Sequence, residues 1–100
     1  MWVLKFGGTS VGDARCFAQV ADIVLQAREA HGEVVVVVSA MSGVTDALLD
    51  AARAAARGDE GAWLTTLRSL RAKHMEVLEA LVPSGPLQEE TAARLQALLA

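Results

Sequence analysis

A short apolar run, Trp2-Val3-Leu4-Lys5-Phe6, opens the chain and ends at Gly7-Gly8. Its length and its glycine boundary predict a buried strand. Asp13 then stands where an N-cap belongs. Behind it Phe17, Val20, Ala21, Val24 and Ala27 recur at helical spacing. That helix should stop at Gly32, with Arg28 and His31 in its last turn, where cations suit the helix dipole. A second strand is predicted from Glu33 to Ser39. Its five consecutive valines fit a strand covered on both faces, as in a parallel sheet between helix layers. The order is strand, helix, strand: a βαβ unit, expected to cross over right-handed.

The pattern changes after Ser39. Ala40-Met41-Ser42-Gly43 reads as a loop. One helix is predicted from about Thr45 to Arg57, ending at Gly58. A longer one follows over roughly Glu60 to Leu81, where Trp63, Leu67, Leu70, His74, Val77 and Leu81 step by threes and fours. Val82-Pro83-Ser84-Gly85-Pro86 is a breaker cluster, and a last helix begins near Leu87. Two strands make a poor sheet, and a run of five valines calls for neighbours on both sides. The expectation is therefore an α/β chain whose 100 residues open a larger domain.

Composition narrows the function. Hydrophobic residues make up 53% and aromatics only 4%, so Val, Leu and Ala must build the core. The net charge is −3 and no basic block is present, which argues against a nucleic-acid surface. The longest purely apolar run, Val34 to Val38, is too short to span a bilayer, and the N-terminus lacks the order of a secretory signal. The single cysteine, Cys16, cannot form an internal disulfide. A reducing, cytoplasmic setting is the expectation.

The chemistry concentrates in two loops. In KFGGTSVG, residues 5–12, glycines follow a strand directly. They let backbone approach a ligand without a Cβ clash and permit positive φ. Successive N–H groups there can form an anion-binding nest. Lys5 adds a mobile positive charge, Thr9 and Ser10 add hydroxyls, and the following helix points its positive end toward the same place. Ligands of open α/β sheets bind at the carboxyl ends of strands. A tight βα turn with an exposed lysine is an equally good account of these residues alone. Lys precedes the glycines, so this is not a Walker A loop, and glycines at 7, 8 and 12 do not make a dinucleotide fingerprint. The second loop, SAMSGVTD at 39–46, should lie on the same sheet edge, with hydroxyls at Ser39, Ser42 and Thr45. Either Ser42 or Thr45 alone is better read as a helix cap; the two loops together favour a shared polar pocket.

The other candidates carry little. His74 falls on the apolar stripe of the long helix and reads as packed. His31 has no partner at metal-ligand spacing, so a metal site has no support. Cys16 reads as a small half-buried residue rather than a nucleophile.

KFGGTSVG, followed by VVVVVSAMSGVTDALL at 34–49, resembles the opening of the aspartate kinases of the amino acid kinase superfamily. The two motifs cover about a quarter of the chain. The helical tract from about 50 to 100 is similar by position and pattern only. The resemblance implies the N-terminal part of a three-layer αβα sandwich, with residues 1–100 belonging to the catalytic domain. It implies transfer of the ATP γ-phosphoryl group to the β-carboxylate of L-aspartate, in the biosynthesis of lysine, threonine and methionine. Lys5 would bridge the transferring group. Gly7, Gly8, Thr9 and Ser10 would hold the phosphates, Ser39 and Thr45 would contact aspartate, and Mg2+ would accompany ATP. It also implies a cytoplasmic homo-oligomer. The family's remaining catalytic and regulatory parts find no place in these 100 residues, so the chain alone is expected to be inactive or nearly so. Two other readings compete: a related kinase acting on another small acid such as glutamate, and a non-catalytic module that binds an anion or docks a partner through its helices.

Overall fold

A computed structural model describes residues 1–99. The chain divides into two compact units, Met1–Gly43 and Val44–Ala100.

The first unit is the βαβ element. Strand β1 spans Trp2–Phe6 and strand β2 spans Val34–Val38, with helix α1, Ala14–His31, between them. The strands pair in parallel, Trp2 opposite Val34, Lys5 opposite Val37 and Phe6 opposite Val38. Backbone bonds extend the ladder past both ends, from Trp2 N–H to Glu33 C=O (3.1 Å) and from Ser39 N–H to Phe6 C=O (3.1 Å). Helix α1 starts where the Asp13 carboxylate accepts the Cys16 N–H at 2.8 Å, satisfying one of the orphan donors of the first turn. It stops at Gly32, whose φ of +78° suits a residue without Cβ and whose N–H reaches Arg28 C=O at 2.8 Å. Val20 is buried, and Phe17, Val24 and Ala27 are half-buried. These four form the helix stripe that packs against both strands. Ala21, expected on that stripe, is exposed.

Two features depart from the sequence reading. First, β2 is not covered on both faces: Val35 to Val38 remain 39–53% exposed, because α1 lies on one side of the two-stranded sheet. Side chains alternate across a strand, so Val3 and Lys5, both exposed, share the face that α1 leaves open. Second, residues Gly8–Val11, for which the sequence pattern predicts no regular element, form a 3-10 turn. Val11 anchors that turn and has no exposed surface.

The second unit is helical. Helix α2 spans Val44–Ala56, α3 spans Glu60–Leu81 and α4 spans Pro86–Leu98. Gly58, at φ +76°, turns the chain between α2 and α3, and the Asp59 carboxylate caps α3 by accepting the Ala62 N–H at 3.1 Å. Ala51 and Ala54 are buried on α2, Leu70 and Leu78 on α3. Small residues on one helix let the larger side chains of its neighbour approach its backbone closely. Pro86 begins α4, where its missing N–H costs no helical bond, and Gln88 Nε2 donates to Val82 C=O at 2.8 Å across the joint. On the predicted α3 stripe Leu70 is buried, His74 and Val77 are half-buried and Leu81 is 38% exposed. Among the described residues no helix is long and apolar enough to cross a membrane.

Candidate functional site

Parallel strands present their carboxyl ends side by side. At this edge β1 ends in Gly7-Gly8-Thr9-Ser10, and β2 ends in Ser39-Ala40-Met41-Ser42. The two loops are in close contact. A Cβ added to Gly8 would lie 3.3 Å from Ser39 Oγ and 3.4 Å from Ala40 C=O. One added to Gly12 would lie 3.5 Å from Ser42 Cβ. The structure therefore brings Gly7, Gly8, Thr9, Ser10 and Ser39 to one edge of the first unit, with Lys5 two residues before the diglycine on β1.

The glycines work by size rather than by left-handed backbone. Gly7 has φ −77° and ψ 176°, and Gly12 has φ −75°. The positive-φ glycines are Gly32, Gly43, Gly58 and Gly85, so the expected use of positive φ at the diglycine does not occur. Gly8 lies against the second loop, where a methyl would crowd Ser39 Oγ. Gly7 meets nothing within 4 Å and is exposed, so its open side is where a ligand's atoms could approach the backbone.

The donors of this edge follow from the turn. Ser10 N–H is taken by Gly7 C=O at 3.0 Å. The N–H groups of Gly8 and Thr9 precede that first turn bond and have no intrahelical acceptor. Thr9 and Ser10 are exposed, and Ser39 Oγ donates to Ala40 C=O at 2.9 Å. Lys5 is exposed and forms no ion pair among the described residues. Unpaired cationic and N–H donors on one edge suit an anion with several oxygens.

Helix α1 contributes less than its direction suggests. Its N-terminus is occupied by the Asp13 carboxylate, held below its ordinary pKa chiefly by the backbone hydrogen bond from Cys16 N–H. A capping aspartate carries the negative charge that a dipole-bound anion would otherwise bring. The cap is legible in the sequence, and it competes with an anion for the same helix end. Thr45 lies exposed in the first turn of α2, in the second unit.

The remaining candidates are structural. His74 Nδ1 lies 2.7 Å from Leu70 C=O and is half-buried. His31 stacks on Trp2, ring centroids 3.7 Å apart and planes 10° from parallel, a contact no local motif signals. Cys16 is half-buried. Among the described residues no three His, Cys, Asp or Glu side chains converge as metal ligands. A cavity of about 630 Å³, bordered by Arg28, Gly32, Glu33 and Val34, lies at the opposite end of the strands from the two loops.

Comparison with known proteins shows the family. The family model described as the amino acid kinase family matches residues 1–100. An aspartate kinase of Pseudomonas fluorescens is 56% identical over 52 residues, which is 52% of this chain and 13% of that protein. The aspartokinase of Pseudomonas aeruginosa is 60% identical over 47 residues, 47% of this chain and 11% of its own length. The aspartokinase of Chlamydia pneumoniae is 36% identical over 93 residues, 93% of this chain and 19% of its own. The chain thus spans less than a fifth of the length of these relatives. With its whole length matched by the family model, and its lysine and glycine turn at the carboxyl edge of a parallel βαβ unit, this chain belongs to the amino acid kinase family.

Proposed function

We propose that residues 1–100 open the catalytic domain of an ATP-dependent kinase that phosphorylates the β-carboxylate of L-aspartate. The carrying observation is Lys5, without an ion pair among the described residues, beside two strand-end loops packed together at Gly8 and Ser39. Similarity to aspartate kinases supports the choice of aspartate. A carboxylate oxygen of aspartate attacks the γ-phosphorus, the bond to the bridging oxygen breaks, and ADP leaves. The carboxylate is ionised at neutral pH, so no general base is required. Such a transfer rests on positioning and charge stabilisation. Lys5 supplies the mobile charge and bridges the transferring group. The Gly8 and Thr9 N–H groups, the open side of Gly7 and the hydroxyls of Thr9 and Ser10 hold phosphate oxygens. Ser39 and Thr45 contact aspartate. The described residues fit phosphate oxygens but gather no carboxylates to hold a metal, so Mg2+ would arrive with the nucleotide.

The product, 4-phospho-L-aspartate, would feed lysine, threonine and methionine biosynthesis in the cytoplasm, and the intact protein would be a homo-oligomer. The 100-residue chain alone is expected to turn over little or nothing. The test is Lys5→Met in the full-length protein, assayed for ADP release with ATP, Mg2+ and L-aspartate, and with L-glutamate as the competing acceptor. Turnover with aspartate should fall by about 10²–10³ while folding is retained. Undiminished turnover would remove Lys5 from the mechanism, and preference for glutamate would reassign the substrate.

A further inference from the structure

A second charged site lies in the helical unit, apart from the strand-end loops. A cavity of about 320 Å³ is lined by Trp63, Leu64, Leu67, Arg68 and Arg71 of α3 and by Leu99 at the end of α4. Its size falls within the range of small-molecule sites. The apolar members sit on one side of α3, where steps of three and four bring them together. Arg68 and Arg71 are themselves three residues apart, so two like charges share that helix face.

Neither arginine is neutralised. The residues three and four positions away from Arg68 are Leu64, Thr65, Arg71 and Ala72; those from Arg71 are Leu67, Arg68, His74 and Met75. None is acidic, and among the described residues no carboxylate lines the cavity. Among the described residues the ion pairs of this unit, Arg53–Asp50 and Arg94–Glu90, involve other arginines. Among the described residues Arg68 and Arg71 accordingly have no anionic partner.

We propose that this cavity binds an amphipathic monocarboxylate. The apolar body of the ligand packs against Trp63, Leu64, Leu67 and Leu99, and its carboxylate bridges Arg68 and Arg71. Guanidinium groups match a carboxylate in bidentate geometry, and the anion relieves their mutual repulsion. The same lining selects against amino acids. A zwitterion would bring an ammonium group to a site whose described residues supply two cations and no acid, so the ligand is an aryl or alkyl carboxylate without an α-amino group.

The matched probes are hydrocinnamate, its neutral amide, and L-phenylalanine, which adds only the ammonium group to the hydrocinnamate skeleton. Residues 1–100 hold two tryptophans, Trp2 and Trp63, so a full-length variant in which Trp63 is the sole tryptophan left, every other one replaced by Phe, makes Trp63 the reporter. Hydrocinnamate should change Trp63 fluorescence saturably. The amide and L-phenylalanine should each bind at least about tenfold more weakly, as expected for losing or opposing a charge-assisted contact. Arg68→Gln with Arg71→Gln should weaken hydrocinnamate by a similar factor and leave the helical circular dichroism unchanged, both side chains being exposed. Equal binding of all three probes, binding indifferent to the arginine changes, or no saturable response would overturn the proposal. So would sedimentation showing that a second copy of the chain occupies the cavity.

Discussion

Gly8 and Ser39 meet across the carboxyl edge of the sheet so closely that a methyl on Gly8 would stand 3.3 Å from Ser39 Oγ. This contact joins the loop after β1 to the loop after β2. It gives the diglycine two separate tasks: Gly8 fits against protein, while Gly7 faces open space.

The two glycines should therefore respond differently to alanine. In Gly8→Ala the Ser39 hydroxyl must give way by a few tenths of an ångström, and the Ala40 carbonyl stands 3.4 Å from the new methyl. The expected loss is about 1–2 kcal/mol in urea unfolding. Gly7→Ala meets no atom and keeps an allowed φ of −77°, so stability should hold or rise by about 0.4–1 kcal/mol through the unfolded chain. Equal losses at both positions would contradict the division of tasks.

Function should reverse that ranking at Gly7. If phosphate oxygens approach its open side, the alanine methyl displaces them. A misplacement of about 1 Å costs on the order of a hundredfold in phosphoryl transfer. Steady-state kinetics of Gly7→Ala in the full-length protein should thus show impaired turnover in a stably folded enzyme.

Asp13 makes the start of α1 sensitive to acid. Its carboxyl is held below the ordinary value of 3.8, chiefly by the Cys16 N–H. A group with a lowered folded-state pKa stabilises the native chain above its unfolded value and loses that contribution as pH falls through the folded one. Helicity should therefore decline in wild type as the pH drops below about 3.8. Asp13→Ala should melt at lower temperature than wild type at neutral pH and lose this component of the acid response. Asp13→Asn keeps an accepting oxygen, so it should recover most of the cap.

Trp2 and His31 fasten the beginning of β1 to the end of α1 through a stacked pair. A double-mutant cycle with Trp2→Ala and His31→Ala should return a coupling of about 0.5–1 kcal/mol. Additive effects would mean that the stacking carries no energy of its own.

The elements themselves were legible because each carries local punctuation. The β1 boundaries at Trp2 and Phe6, the Asp13 cap, the Gly32 stop and the span Glu60–Leu81 match the sequence reading. The remaining boundaries lie within a residue or so of it. Less legible was what each glycine does. A glycine after a strand is compatible with positive φ, with a ligand or with a tight contact, and the choice depends on atoms over thirty residues away, at Ser39 and Ala40. The Trp2–His31 stack likewise joins residues far apart in the sequence.

Spacing, caps and the KFGGTS string determined on their own that this chain is a βαβ unit followed by helices, in the amino acid kinase family. These are local properties: backbone propensity, hydrogen-bond capping and a contiguous motif act within a few residues. Tertiary structure alone decided that α1 covers one sheet face while Lys5 stands on the other, that Gly8 is pinned by the second loop, and that Arg68 and Arg71 border an apolar cavity without a counter-ion among the described residues. Each of these depends on which surfaces meet, and side-chain burial and charge pairing are settled only when distant parts of the chain come together.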